Sequence, residues 1–485
     1  MASYLQADRA HASNSPGSSV FDLPTGMERV SESQARLAKP STLPLPPAQP
    51  LTSGVTKKGP GPSYLIVSGG TGGNAICSSF VNACFVLPVS DDGGSSSEII
   101  RVLGGPSIGD IRSRLVRLIP SATSSSPLDV IKSLLAYRLP SKYSEKEARE
   151  EWRDIVEGRS VLWRGIPSDR KETIRGFLVY FESELLKRAH KNFDFRNGSI
   201  GNYFIAAAQH FFRSLPSAIF LFSSITNSQA HILPVIVTNH TVTLAAELEN
   251  GQRIVGQCEI SHPVAVANAG PVERSQFFDN EPEDAYANAH NVMYQRDQVH
   301  SEPLAARISK VYYINSYGMA IHPAPNPDFI SNLKTRDIIV YSCGSLWTSI
   351  MPCLALKGVA SAIAGSYSAR AKVLLLNSEN DRETHGYTAT DYIKAIVTTL
   401  NTNYSTPKYG LGNVNTVYPA SAFITDLVYL KGSKVSVNRG EIAKLGIKCT
   451  EVPVSSQDEK VLRFEGEHVR DVLDKIWLDR QEENQ

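Results

Sequence analysis

Apolar residues gather along this chain in short runs of β character, and each run stops abruptly at glycine or small polar residues. Residues 64–68 read Tyr-Leu-Ile-Val-Ser and break into Gly69-Gly70-Thr71-Gly72-Gly73-Asn74-Ala75. A second run at 85–89 ends in Ser90-Asp91-Asp92-Gly93-Gly94-Ser95-Ser96-Ser97. Further runs at 337–341 and 372–376 end in Ser342-Cys343-Gly344-Ser345 and in Asn377. Between them, helical patterning predicts helices over 95–103, 109–119, 144–157, 171–190 and 466–480, and along the Ala-rich stretch that follows Asn202. Alternation at 232–237, 242–248 and 253–258 predicts strands. The last two are joined by Glu249-Asn250-Gly251-Gln252, a type I′ hairpin signal.

Strands interleaved with helices predict an α/β fold with a mostly parallel sheet. The hairpin is expected as an antiparallel edge on that sheet. The segment after the first glycines is expected to be helical and to close a βαβ unit over 63–90, and a second α/β portion to begin at 310–314. Residues 1–62, rich in Ser, Pro, Ala and Gly, have the composition of a disordered arm. The body is expected to span 63–455, with a helical insertion at 121–191 and a long surface loop at 263–308, followed by a C-terminal helical extension at 456–485.

Composition narrows the partners. Net charge is +1 over 485 residues, so no global electrostatic case exists for nucleic acid or an anionic membrane. Trp152 and Trp163 stand among charges of both signs and are expected to pack between helices. The apolar stretch 346–365 is interrupted by Pro352 and Lys357, which predicts a buried helix and no membrane span. The six cysteines contain no Cys-x-x-Cys pair and read as reduced thiols. With Asp8, Asp22, Glu28 and Glu32 and no apolar core, the first residues do not resemble a secretory or organelle leader. A cytoplasmic protein is expected, with a homo-oligomer left open.

The candidate chemistry lies where strands end. Glycines after a strand let backbone approach a ligand closely, and a helix start beyond them offers free N–H groups and partial positive charge. Gly70-x-Gly72-x-x-Ala75 fits the dinucleotide fingerprint, with Asp91 about 20 residues on, where an acid can hold ribose hydroxyls. The Walker pattern is absent. Ser68, Gly69, Gly70, Thr71 and Gly72 are expected at a diphosphate. Gly93 and Gly94 lead to Ser95 and Ser96 as phosphate donors. Gly109 and Asp110 open the next helix, where Arg112 is the candidate charge clamp and Arg114 and Arg117 read as a solvated face. Asn202 is a candidate ligand contact or cap, and Gly344, Ser345 and Asn377 are expected on the opposite wall. Asp91 either accepts from ribose or, with Asp92, holds a hydrated Mg²⁺ between phosphates. Asp92 is either a base for an acceptor hydroxyl or a cap on the helix at Ser95. Cys343 reads as a packed thiol.

Together these blocks resemble the CofD-like superfamily, also described as UPF0052, and within it the YvcK-type gluconeogenesis factors. Ser68-Gly69-Gly70-Thr71-Gly72 matches its first glycine turn. Asp91-Asp92-Gly93-Gly94-Ser95-Ser96 with Gly109-Asp110-Ile111-Arg112 matches its most specific signature. Ile200-Gly201-Asn202-Tyr203-Phe204, Gly344-Ser345-Leu346-Trp347-Thr348-Ser349 and Glu383-Thr384-His385-Gly386-Tyr387-Thr388 follow in order. The resemblance implies a Rossmann-like three-layer α/β/α fold with the ligand at the strands' carboxyl ends. It also implies one of two functions. One branch is similar to 2-phospho-L-lactate transferase, a Mg²⁺-dependent enzyme that moves a phospholactyl group from a nucleotide diphosphate carrier (a GDP/GTP-type ligand) to a deazaflavin alcohol. The other binds UDP-sugars and acts in the control of carbon metabolism. Two positions depart from the pattern: Ser342-Cys343 replaces Gly-Pro, and His385 replaces an acid. A nicotinamide dehydrogenase is the third account, and Asp91-Asp92-Gly93-Gly94 does not suit it.

Overall fold

The computed structural model describes residues 61–69, 72–188, 191–262, 302–404, 416–454 and 462–483. The expected arm at 1–62 falls almost wholly outside them, as do 263–301 of the expected loop. Eleven strands are present among the described residues: β1 (Tyr64–Val67), β2 (Ala83–Leu87), β3 (His231–Pro234), β4 (Thr243–Leu248), β5 (Arg253–Val255), β6 (Ile308–Ile314), β7 (Ala320–Ile321), β8 (Ile338–Tyr341), β9 (Ala371–Leu375), β10 (Asp426–Leu430) and β11 (Lys448–Val452). Seven of them form a parallel sheet in the order β11-β10-β9-β8-β1-β2-β3. Every residue of β1, β8, β9 and β10 is buried, so these strands are covered on both faces, the middle layer of a three-layer α/β/α body. That double burial explains their unbroken apolar runs, each such side chain contributing roughly 1.5–3 kcal/mol.

From β1 the chain first builds outward through β2 to β3, and it later returns to the other side of β1 with β8. The direction of winding therefore reverses between β1 and β8. Ligands of open α/β sheets bind outside the strands' carboxyl ends at such a switch point.

Several expectations differ from the structure. No helix follows β1: the link to β2 is two single 3₁₀ turns, Gly72–Asn74 and Cys77–Ser79. Glycines at 69, 70, 72 and 73 each cost about 1 kcal/mol in a helix relative to Ala, which disfavours one here. The C-terminal helix, Gly466–Glu482, packs on that turn instead. Its Arg470 donates to the Ser79 carbonyl at 2.9 Å, and Tyr64 Oη donates to Asp474 at 3.4 Å.

The hairpin is antiparallel as expected, but it lies in a sheet of its own, β5-β4-β6-β7. β3, expected beside it, pairs in parallel with β2, and β6 pairs with β4 rather than opening a second α/β portion. Of the Asn-Gly pair only Gly251 takes a positive φ, 82°, whereas type I′ requires both. Asn250 Oδ1 accepts from the Gln252 N–H at 3.0 Å, which stabilises a three-residue loop.

Helices α1 (Ser95–Leu103), α2 (Gly109–Arg117), α4 (Glu145–Val156), α5 (Ser168–Leu186) and α6 (Ile200–Phe212) follow from the patterning, and α3 (Pro127–Ala136) falls in the expected helical insertion. Helix α7 (Leu215–Ile225) is not among the expected helices, and the short α8 (Gln257–Ser261) takes the end of the run at 253–258 expected as a strand. Trp152 packs among Phe181, Phe195 and Tyr203, and Trp163 is buried. No described helix is long and apolar enough to cross a membrane.

Candidate functional site

At the switch point the turns after β1 and β8 press together. A Cβ at Gly69 would sit 2.9 Å from Pro88 Cγ and 3.0 Å from Ser349 Cα. One at Gly72 would sit 2.7 Å from Gly344 Cα. Those separations are shorter than carbon atoms tolerate, so glycine is required by close approach there. Gly344 is required by its backbone, with φ 143°. Asn377 clasps it, accepting from its N–H at 3.0 Å and donating to its carbonyl at 2.7 Å. The Asn377 amide is thereby engaged within the turn. Ser345 is half-buried and begins the 346–350 turn, accepting through its carbonyl from the Ser349 N–H. Cys343 donates its thiol to the Gly72 carbonyl at 3.5 Å, and burial pushes that thiol up, away from nucleophilic chemistry.

A second group assembles where β2 ends. Gly94 takes φ 56° and turns the chain into α1. Asp91 accepts from the Gly93 N–H at 3.0 Å. A Cβ at Gly109, the first residue of α2, would meet Ser96 Oγ at 2.7 Å and Asp91 Oδ2 at 3.3 Å. Asn202, in the first turn of α6, donates to Ser95 Oγ at 2.6 Å and accepts from Arg112 Nε at 3.0 Å. Residues drawn from the starts of α1, α2 and α6 therefore touch. None of the three helices carries a side-chain cap, although the Ser96 N–H already donates to the Gly93 carbonyl and the Ile200 N–H to the Tyr137 carbonyl. Ser95 and Ser96 are buried beside them, and Asp110 is buried in the first turn of α2.

Charge in this group is strongly perturbed. Burial pushes Asp91 up to about 7, with Asp110 and then Asp92 adding to the effect. Burial also raises Asp92, against the pull of the Cys258 N–H, which donates to its Oδ1 at 2.9 Å. Burial lowers Arg112 to about 10, helped by Arg138. Asp92 is tied to α8, which follows β5 of the second sheet, and not to the helix at Ser95. A Cβ at Gly256 would come within 2.7 Å of its Oδ2.

The expected residues thus fall into two neighbouring groups. Ser68, Gly69, Gly72, Gly344, Ser345 and Asn377 meet around β1, β8 and β9. Asp91, Asp92, Gly93, Gly94, Ser95, Ser96, Gly109, Asp110, Arg112 and Asn202 meet around β2. Helix α2 serves both, because its Arg114 donates to Ser68 Oγ at 2.8 Å. Gly70 and Thr71 lie outside the described residues.

Arg114 overturns its expectation of a solvated face: it is 1% exposed. The signal was present, since Arg114 falls one turn after Ile111 and beside Leu115, both buried on the same face of α2. Arg117 is exposed, as expected. Two further residues escaped sequence reasoning. Cys258 brings its sulfur to the paired aspartates, with ligand atoms of Asp91, Asp92 and Cys258 all within 4.8 Å of one another. Glu383 is buried and accepts from the Trp347 and Thr348 N–H groups at 2.9 and 3.1 Å, with burial and then Asp381 pushing it up to about 8. Neither had a local signal, because both contacts join segments far apart in sequence. His385, at the departure from the family pattern, is exposed.

Residues 65–455 match the family described as 2-phospho-L-lactate transferase CofD. YNL011C, an uncharacterized protein of Saccharomyces cerevisiae, is 35% identical over 458 residues, covering 86% of this chain and 99% of its own. A gluconeogenesis factor of Halalkalibacterium halodurans is 22% identical over 420 residues, covering 85% of this chain and 95% of its own. The solved structure of a UPF0052-family protein from Bacillus halodurans has a TM-score of 0.54 at 18% identity, covering 85% of this chain and 99% of that one. That likeness shows a shared fold.

Proposed function

The chain belongs to the CofD-like family, on the side of the gluconeogenesis factors, and on that premise we propose that it binds a nucleotide diphosphate or UDP-sugar. One observation carries the proposal. The uncapped starts of α1, α2 and α6 are drawn together through Ser95, Asn202 and Arg112, beside the perturbed carboxylate of Asp91. Phosphate oxygens would accept from the first-turn N–H groups and from Ser95 and Ser96, and Arg112 would balance their charge. Ser68, Gly69 and Gly72 would approach the same diphosphate at the switch point, with Gly344 and Ser345 on the wall opposite. The partner is then a small-molecule nucleotide of the cytoplasm, and control of carbon metabolism through it is the role proposed.

Mg²⁺, implied by the family resemblance, fits the residues present. Mg²⁺ is commonly held by one or two carboxylates together with phosphate oxygens, and Asp91 and Asp92 provide such a pair. When bound it supplies charge neutralisation between phosphates. The Cys258 sulfur is a donor for softer ions and stands outside that set.

A transferase resembling 2-phospho-L-lactate transferase is the second reading, and one observation favours it. A carboxylate titrating near neutrality is suited to take a proton from an acceptor hydroxyl, and Asp91 is raised to about 7. Asp92 would share that work only through Oδ2, since Oδ1 is held by Cys258.

Calorimetric titration with UDP-N-acetylglucosamine, GDP and GTP, each with and without Mg²⁺, tests the proposal. Metal-independent binding of the UDP-sugar, lost in Asp91→Ala, supports binding and regulation. Preference for a guanine nucleotide with Mg²⁺ supports transfer. No heat with any of them removes both.

A further inference from the structure

Arg114 is a cation inside the protein. Charged side chains are almost never fully buried unless paired, yet among the described residues no carboxylate lies within ion-pair distance of this one. Its Nη2 donates to Ser68 Oγ at 2.8 Å, its guanidinium lies 4.9 Å from the centre of the Phe85 ring, and its Nε has no partner. Ser342 Oγ, buried beside it, also lacks one. Two orphaned polar groups at one buried cation have a desolvation cost that the Ser68 hydrogen bond, the Phe85 ring and the longer-range attraction of Asp110 offset only in part.

The location supplies the reason. A Cβ at Gly73 would overlap Ser68 Oγ and sit 3.0 Å from Arg114 Nη2 and 3.1 Å from Ser342 Oγ. Ser68 follows β1, Ser342 follows β8, and Arg114 reaches in from α2. The three groups therefore close on the underside of the Gly72–Asn74 turn, at the reversal of the sheet. Gly72 is exposed on the turn's other side. A cation buried beneath that turn, with the Phe85 ring against it, acts through a low dielectric on any charge bound above it.

We propose that Arg114, held by Ser68 and lying beside Ser342, is the buried countercharge for phosphate groups bound over the Gly72–Asn74 turn, and that it selects phosphate-bearing ligands over neutral ones. The inference deepens the nucleotide reading, and it would survive if the nucleotide were misidentified. Arg114 touches no ligand directly in this arrangement and is a positioning residue. An anion above the turn offsets the cost of the buried cation, so affinity is gained from a charge that the unliganded fold carries at a loss. Arg114→Met accordingly weakens anion binding without weakening the fold, whereas removal of a structural strut would weaken both.

The probe is inorganic pyrophosphate, titrated against the full chain, Arg114→Met and Arg114→Lys, with unliganded melting temperatures measured alongside. The expected result is a loss of about tenfold or more in pyrophosphate affinity for Arg114→Met. Its melting temperature is expected to be unchanged or higher, and Arg114→Lys to recover most of the affinity. Equal affinity in the Met variant would overturn the proposal, as would joint loss of affinity and melting temperature without recovery by Lys. If Arg114→Met does not fold, Ser68→Ala decides, because it frees the guanidinium while keeping the charge. Weaker pyrophosphate binding at unaltered melting temperature then supports the proposal, and unaltered binding overturns it. Failure of the full chain to bind pyrophosphate also overturns it. Pyrophosphate binding without binding of any nucleotide leaves the proposal standing and removes the nucleotide reading.

Discussion

The two halves of the candidate site are built by opposite means. Around β1 and β8, glycines at 69, 72 and 73 are dictated by close approach, and Asn377 is engaged in holding Gly344. Around β2, the helix starts are uncapped, Asp91 and Asp92 are both raised, and Arg112 is lowered. The first half is tightly packed backbone, in which Arg114 Nε and Ser342 Oγ are left without partners. The second keeps donors and perturbed charge in reserve. Shape and chemical work are thus separated by a few residues, with α2 joining them through Arg112 on one side and Arg114 on the other.

The largest expected effect separates the halves by stability. Gly73→Ala places a methyl group against Ser68, Arg114 and Ser342 and is expected to cost about 1–3 kcal/mol, as overpacking does. Urea unfolding measures it, and a loss below about 0.5 kcal/mol, the level of a neutral surface change, would show that this half is not tightly packed.

A smaller effect separates them by pH. Asp91 rises from 3.8 to about 7 on folding, so the folded protein holds an extra proton between those values. Stability therefore falls as pH rises from about 4 to about 7, and levels off above. Asp92, raised as well, contributes with the same sign. Asp91→Asn removes this slope, so its melting temperature should gain on that of the native chain as pH rises from 4 to 8. Parallel curves would mean that Asp91 is not perturbed.

The smallest effect is expected at Cys343. Because burial raises its thiol, Cys343→Ala should leave UDP-N-acetylglucosamine affinity within about twofold, less than the roughly 0.6 kcal/mol of thermal energy. Rapid alkylation of Cys343 by iodoacetamide, blocking binding, would contradict that and make the first half chemically active.

Much of this architecture was legible along the chain. The apolar runs of β1, β2, β8 and β9 were visible because strands covered on both faces need little but apolar residues. The small polar residues at their ends marked where the strands give way to turns. The starts of α1 and α2 were likewise set by Gly94, Ser95 and Gly109. Other features were hidden. That the C-terminal helix packs on the turns after Val67 rests on contacts some 400 residues apart in sequence. That the hairpin at Gly251 forms a separate sheet depends on β6 reaching β4 across 263–301.

What the sequence determined by itself was the set of strand-end turns and the kinds of side chain they carry, because periodicity and turn chemistry act over a few neighbouring residues. Tertiary structure alone decided which of those side chains are spent and which are held in reserve. Asn377 became a clasp, Asp92 an anchor for α8, and Arg114 a buried cation. Each outcome is set by desolvation and by partners from distant segments, and neither is written in a residue's own neighbourhood.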